Sequence, residues 1–130
     1  MKRILFLSLS LLLSGCYLAN GSPSSYHYWL KNDKVITYND MKFCEKKVYL
    51  TLGERFKYLS KMMEINGWIS MRENYRKEYN EYIAYITKAS PYISYCYYEL
   101  GYRFRPPIYW CLAQDGDNTR ICTENMKYRN

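Results

Sequence analysis

The side chains best equipped for chemistry are five cysteines, Cys16, Cys44, Cys96, Cys111 and Cys122. A thiol can attack a substrate, bind metal, pair with another thiol or carry a lipid, and its neighbours decide among these. Nucleophilic use needs a base, and the only histidine, His27, is lone and close to the N-terminal segment. No Ser-His-Asp ordering, G-x-S-x-G or H-E-x-x-H stands in the chain, so these nucleophile and metalloprotease arrangements have no counterpart. Zinc prefers closely spaced Cys and His ligands; there is no C-x-x-C, and His27 lies far upstream of the later cysteines. Glu78 and Glu81 are three apart on an expected helix, where paired acids are common on a solvated face. A non-enzymatic chain without metal or cofactor is expected.

Cys16 has a context of its own. Lys2 and Arg3 precede an apolar run from Ile4 to Leu13, and the small residues Ser14 and Gly15 follow. This order is that of a secretory signal. The ten-residue run would rise about 15 Å as a helix, half of a hydrocarbon core of roughly 30 Å, which is too short to span. Leu13-Ser14-Gly15-Cys16 resembles the bacterial lipobox, in which cleavage falls before a Cys whose thiol has received a diacylglycerol. The resemblance implies a signal peptide over 1–15 and a lipid on Cys16, and membership of the class implies two or three acyl chains. One chain holds only marginally, at about 0.8 kcal/mol for each buried CH₂, so several make a lasting anchor. Tyr17 follows the Cys where the class associates Asp with inner-membrane retention, so outer-membrane sorting is favoured; the face on which the domain lies is left open. Residues 16–25, with Gly21 and Pro23, suit a flexible lipidated tether.

Cleavage would remove two of the 19 basic side chains, Lys2 and Arg3, leaving 17 against 12 acidic, a net charge near +5. A basic balance points first to nucleic acid, but export sends the domain where nucleic acid is a rare client, and no such partner is expected. A solvated surface is the plainer account, with attraction to anionic headgroups or cell-wall polymers behind it. Residues 26–130 fit a single small domain. Four cysteines in an oxidising compartment imply two disulfides. Three pairings are possible, and the order of elements favours Cys44–Cys96 with Cys111–Cys122.

Those elements are mainly helical. Thr37 and Asp40 form a capping-box variant, after which Met41, Cys44, Val48, Leu52, Leu59 and Met63 recur at near-helical spacing, with Lys42, Glu45, Lys46, Lys57 and Lys61 on the other side. Gly53 is placed to bend or split this helix, and Asn66-Gly67 to stop it. A second helix is expected over 68–88, striped by Tyr75, Tyr79, Tyr82 and Ile86. Ser90-Pro91 reads as a fresh N-terminus for a short third helix ending at Leu100, with Gly101 as its αL stop. Past Gly101 the apolar runs at 108–112 and 120–123, joined through Asp115-Gly116, read as a β-hairpin stapled by Cys111–Cys122. Residues 127–130 are expected to fray. The expected fold is thus mainly α: a disulfide-stapled helical hairpin with a short third helix and a C-terminal β-hairpin.

The segments Trp29-Leu30-Lys31, Val35-Ile36-Thr37 before a helix bearing Cys44, and Tyr92 to Tyr102 with Cys96 and Gly101 resemble a group of small proteobacterial outer-membrane lipoproteins. The group's layout ends in Phe/Tyr-x-x-Cys-Met-x-x-x-Gly-Tyr. This chain differs at Tyr97, where Met is usual, at Asn32-Asp33, where Gly is common nearby, and in its Cys111/Cys122 tail. The resemblance supports the Cys44–Cys96 pairing and implies no activity.

Seventeen tyrosines in 130 residues offer large, rigid, polar-tipped area either to a core or to a partner. The stripe of Tyr75, Tyr79 and Tyr82 fits a core. Tyr92, Tyr95, Tyr97, Tyr98 and Tyr102 crowd one short helix and cannot all face inward, so a partner face is expected around Tyr95, Tyr98, Tyr102, Arg103 and Arg105. The expectation is a lipid-anchored envelope protein with a structural or protein-interaction role. The alternative is an inhibitor or immunity-type lipoprotein that binds an incoming toxin or lytic enzyme.

Overall fold

A computed structural model describes residues 21–114 and 116–130; residues 1–15, Cys16 and the first half of the expected tether lie outside the described residues. From Pro23 the chain is already held to the domain, because the Trp110 indole N–H donates to the Pro23 carbonyl at 2.6 Å. A 3₁₀ turn over Ser25–Tyr28 follows.

Three short strands come next: β1 (Trp29–Lys31), β2 (Lys34–Val35) and, much later, β3 (Arg103–Phe104). They form an antiparallel sheet in the order β2-β1-β3, with Leu30 opposite Val35 and Trp29 opposite Phe104. The β1–β2 connection is Asn32-Asp33, both with positive φ (50° and 60°). Asn and Asp tolerate that region better than other residues with a Cβ, and two such residues in a row make the tight hairpin turn.

Helix α1 (Tyr38–Tyr49) starts as its cap dictates: the Asp40 N–H donates to Thr37 Oγ1 at 3.1 Å, and the Thr37 hydroxyl donates to the Asp40 carboxylate at 3.0 Å. Gly53, at φ +83°, separates it from α2 (Gly53–Asn74). Gly67 interrupts α2 with φ 76°, ψ 163°, a region essentially restricted to glycine. Tyr75 then breaks the helix expected over 68–88, and α3 (Arg76–Glu99) begins. The break has a geometric cause. The rings of Trp68 and Tyr79 meet edge-on with centroids 5.0 Å apart, whereas eleven residues of unbroken helix would set them about 16 Å apart.

The short third helix does not start afresh at Ser90-Pro91; Pro91 lies inside α3. A proline there loses a hydrogen bond and crowds the preceding turn, at about 3 kcal/mol. Ala89, Ile93, Cys96 and Tyr97 are buried on both sides of it while Pro91 is exposed, so one unbroken buried face outweighs that cost. Gly101, at φ +93°, ends α3 as expected, with Gly101 N–H donating to Tyr98 O and Tyr102 N–H to Tyr97 O, a Schellman arrangement.

The C-terminal β-hairpin is not formed. Residues 108–111 are helix α4 (Ile108–Cys111), and 118–125 are helix α5 (Asn118–Asn125). Asn118, Cys122 and Asn125 are buried at spacings of four and three, a helical period that a strand cannot present to one side. The Asn118 amide donates to Trp110 O at 3.1 Å and the Thr119 hydroxyl to Cys111 O at 2.9 Å, tying the two helices. The expected fraying of 127–130 is also corrected: Tyr128 is buried, 5.9 Å from Trp29 and 5.1 Å from Tyr98 between ring centroids.

Both disulfides pair as favoured, Cys44–Cys96 between α1 and α3 and Cys111–Cys122 between α4 and α5, each with Cα atoms 5.7 Å apart. The fold is mainly α and disulfide-stapled. Its main core gathers Trp29, Phe104, Trp110, Tyr97 and Tyr128 around the Cys44–Cys96 bridge, while Phe56, Leu59 and Met71 are buried apart from it.

Candidate functional site

The residues expected to form a partner face do not share one surface. Tyr95 is exposed, with Tyr92, on the side of α3 that borders α1. Tyr102 is buried; its ring belongs to the main core, and its hydroxyl donates to the Asp40 carboxylate at 2.6 Å. Burial pushes the Tyr102 hydroxyl up, and the same hydrogen bond holds the Asp40 carboxyl below the usual range. Tyr98 is half-buried against Tyr128 and lies beneath the Arg103 guanidinium, 4.3 Å from the ring centroid. Arg103 also donates to Tyr102 O at 2.9 Å, so Tyr98 and Arg103 are bound up in the fold. Arg105 is exposed beside the β1–β2 turn, in a depression with Lys31, Asn32 and Asp33. Cys16 lies outside the described residues.

A coherent surface exists elsewhere, on the outward side of α1. Cys44 and Val48 turn inward, and the opposite side presents Phe43, 56% exposed, and Leu50, 64% exposed, seven residues apart. Two helical turns separate them, and Lys46 and Lys47 stand between. Apolar side chains at this spacing on a solvated face are not required by the fold.

A cleft flanks this ridge on each side. Between α1 and α2 a space of about 470 Å³ has Tyr49 and Phe56 on its floor and is lined also by Leu50, Lys42, Lys46, Lys57 and Lys61. Glu45 and Glu64 are the acids there. Lys42 pairs with Glu45 at 2.7 Å, which raises the lysine's affinity for its proton, and Lys57 pairs with Glu54 at 2.5 Å. Lys46 and Lys61 have no ion-pair partner among the described residues. Between α1 and α3 a second space of about 550 Å³ is lined by Val48, Leu52, Tyr92, Tyr95 and the Cys96 end of the bridge. Lys47 and Glu99, 3.5 Å apart, close one side of it.

The floor is fixed by aromatic packing. Phe56 stacks on Tyr82 (centroids 5.8 Å, planes 6° apart) and meets Tyr49 at 5.0 Å. Burial pushes the hydroxyls of Tyr49 and Tyr82 well above the ordinary tyrosine value, so both stay neutral hydrogen-bonding groups at physiological pH. Across the hairpin Arg55 grips Glu81 with two N–H groups, one at 2.8 Å, which holds the Glu81 carboxyl below the usual range. The arrangement can bind: an apolar ridge between two grooves, ringed by ammonium groups, fits an amphipathic segment with acidic flanks.

The signal for this surface stands in the chain: the lysines lie opposite the apolar stripe, and Phe43 and Leu50 fall outside that stripe. His27 is exposed, its ring Nδ1 3.1 Å from Ser24 O. Among the described residues, no group of three or more His, Cys, Asp and Glu could hold a metal ion, and no helix is long and apolar enough to cross a membrane. Compared with protein-family models, curated proteins and solved structures, the chain matches none.

Proposed function

We propose that the chain is a non-catalytic lipoprotein of the cell envelope, held to the outer membrane through a lipid on Cys16, that docks a partner protein on the outward side of α1. The observation that carries the docking role is the pair Phe43 and Leu50, solvent-facing on a helix whose inner face is stapled to α3. A rigid presenting helix loses little freedom on binding, which favours affinity. The partner is an envelope protein offering an apolar segment with acidic flanks, matched to Lys46, Lys47 and Lys61. Because the face is stapled in place before any partner arrives, it also suits the second reading, a tight one-to-one inhibitor or immunity-type lipoprotein.

The test is site-specific photocrosslinking in cells. A crosslinking residue is placed at Phe43, at Leu50 and, as a control on another surface, at Arg129. One discrete adduct from Phe43 and Leu50 and none from Arg129 is expected, reduced by Lys46→Glu with Lys61→Glu. Identical or absent adducts at all three sites would remove the docking role. An adduct only with a secreted toxin, held at nanomolar affinity, would select the second reading. Loss of radiolabelled palmitate incorporation in Cys16→Ser is expected, and label retained in that variant would remove the anchor.

A further inference from the structure

At Gly67 the two halves of α2 meet in a corner on which Ile65, Trp68 and Ile69 are 70%, 50% and 64% exposed. Three large apolar side chains within five residues face solvent, and a Cβ built on Gly67 meets nothing within 4 Å. The corner is nonetheless fixed from behind. Met71 is buried, the Trp68 ring rests edge-on against Tyr79, and the Asn66 side-chain amide donates to Met62 O at 2.9 Å at the interruption. None of the clefts described above is lined by Ile65, Trp68 or Ile69, so the patch is separate from them.

The surrounding charge is positive. Over 54–78 Arg55, Lys57, Lys61, Arg72, Arg76 and Lys77 stand against Glu54, Glu64, Glu73 and Glu78, with Lys57 paired to Glu54 and Arg72 4.0 Å from Glu73. Lys61 lies one turn before Ile65 and Arg72 one turn after Trp68. We infer that this corner seats in the headgroup–acyl boundary of a bilayer carrying anionic lipid, as a contact separate from the acyl anchor and from the α1 surface. An exposed apolar corner with an indole suits that boundary, where tryptophan places its apolar body inward and its N–H among headgroups. The basic flanks supply attraction to anionic headgroups within about 10 Å at 0.1 M salt. The lipid-anchored reading bears on this only by keeping a bilayer at hand.

Trp68 makes the inference testable, because Trp29 and Trp110 are buried and Trp68 is the exposed member of the three tryptophans. The full chain is mixed with vesicles of phosphatidylcholine alone or of equal parts phosphatidylcholine and phosphatidylglycerol, with brominated acyl chains as quencher. Quenching is expected in the anionic vesicles, weaker at high salt and absent in Trp68→Phe. Ile65→Ser with Ile69→Ser should raise the lipid concentration needed for half-maximal quenching by at least about tenfold, with an unchanged circular-dichroism spectrum. No quenching in a chain that sediments with the vesicles would overturn the inference. So would quenching that survives the double serine variant, or a lipid-free dimer that the same variant dissociates. The α1 crosslinks report on a different surface, so either idea can fail alone.

Discussion

At the scale of single residues, two buried tyrosines with opposite circumstances separate packing from hydrogen bonding. The Tyr97 hydroxyl is buried without a hydrogen-bond partner, as is Asn125 Oδ1. Both residues line a small space of about 110 Å³ with Ser94, Ser90 and Glu45. Removing an unpaired buried hydroxyl relieves a desolvation cost of roughly 1–3 kcal/mol, so Tyr97→Phe is expected to leave the urea midpoint unchanged or raise it. Tyr102→Phe should lower it, because the 2.6 Å bond to Asp40 and the link from β3 to the α1 cap are both lost. A fall in stability for Tyr97→Phe would show that its hydroxyl is paired in solution. The sequence placed both residues in a tyrosine-rich segment and could not rank them, since which hydroxyl finds a partner depends on residues far along the chain.

At the scale of elements, local signals located most boundaries, and long-range packing decided what lay between them. The Thr37/Asp40 cap, the Gly53 split and the Gly101 stop are settled by side chains within a few residues, and each falls where the sequence puts it. The stretch from Ile108 to Thr123 has no such signal. Short apolar runs fit strand or helix alike, and burial of Trp110, Cys122 and Asn125 selects helix. The two disulfides staple different pairs of elements, and loop length ranks them. On the chain-entropy account, the 52-residue separation of Cys44 and Cys96 contributes about 4 kcal/mol and the 11-residue separation of Cys111 and Cys122 about 3 kcal/mol. Cys111→Ser with Cys122→Ser should therefore leave a folded chain of lower melting temperature. Cys44→Ala with Cys96→Ala should cost more, since that bridge closes the longer loop and both its cysteines are buried, whereas Cys111 is only partly buried. Equal melting temperatures for the two double variants would contradict this order.

Over the whole molecule, the tyrosines that fill both cores set a limit on alkaline stability. Burial raises the hydroxyl pKa of Tyr49, Tyr82, Tyr97 and Tyr102. The fold keeps protons that the unfolded chain releases above its tyrosine value of about 10. Stability from this source is intact below that pH and is lost as pH rises towards the folded values. The carboxyls act in the opposite sense. Hydrogen bonds from Tyr102 and Arg55 hold Asp40 and Glu81 below the ordinary carboxylate range of about 4. Their contribution is present above that range and fades as pH falls through the lowered values. The urea midpoint should stay level from about pH 5 to about pH 9 and fall on both sides. A midpoint that kept rising beyond pH 10 would contradict the burial of these hydroxyls.

The sequence by itself determined the mainly helical class and the cap and stop residues, because each rests on neighbours or on the order of a few elements; it favoured the cysteine pairing among three, and the structure shows it. The address implied by Cys16 rests on the sequence alone. Only the tertiary structure decided that α3 runs through Pro91, that the C-terminal staple joins helices, and that Tyr102 lies inside while Phe43, Leu50 and Trp68 lie outside. Those outcomes depend on which faces of distant segments meet, and hydrophobic spacing specifies that a face will be buried without specifying against what. The same physics explains where the exposed apolar surface lies. Aromatic composition marked the segment around Cys96, but packing against Trp29 and Tyr128 took much of it into the core and left the exposed apolar side chains on α1 and at Gly67.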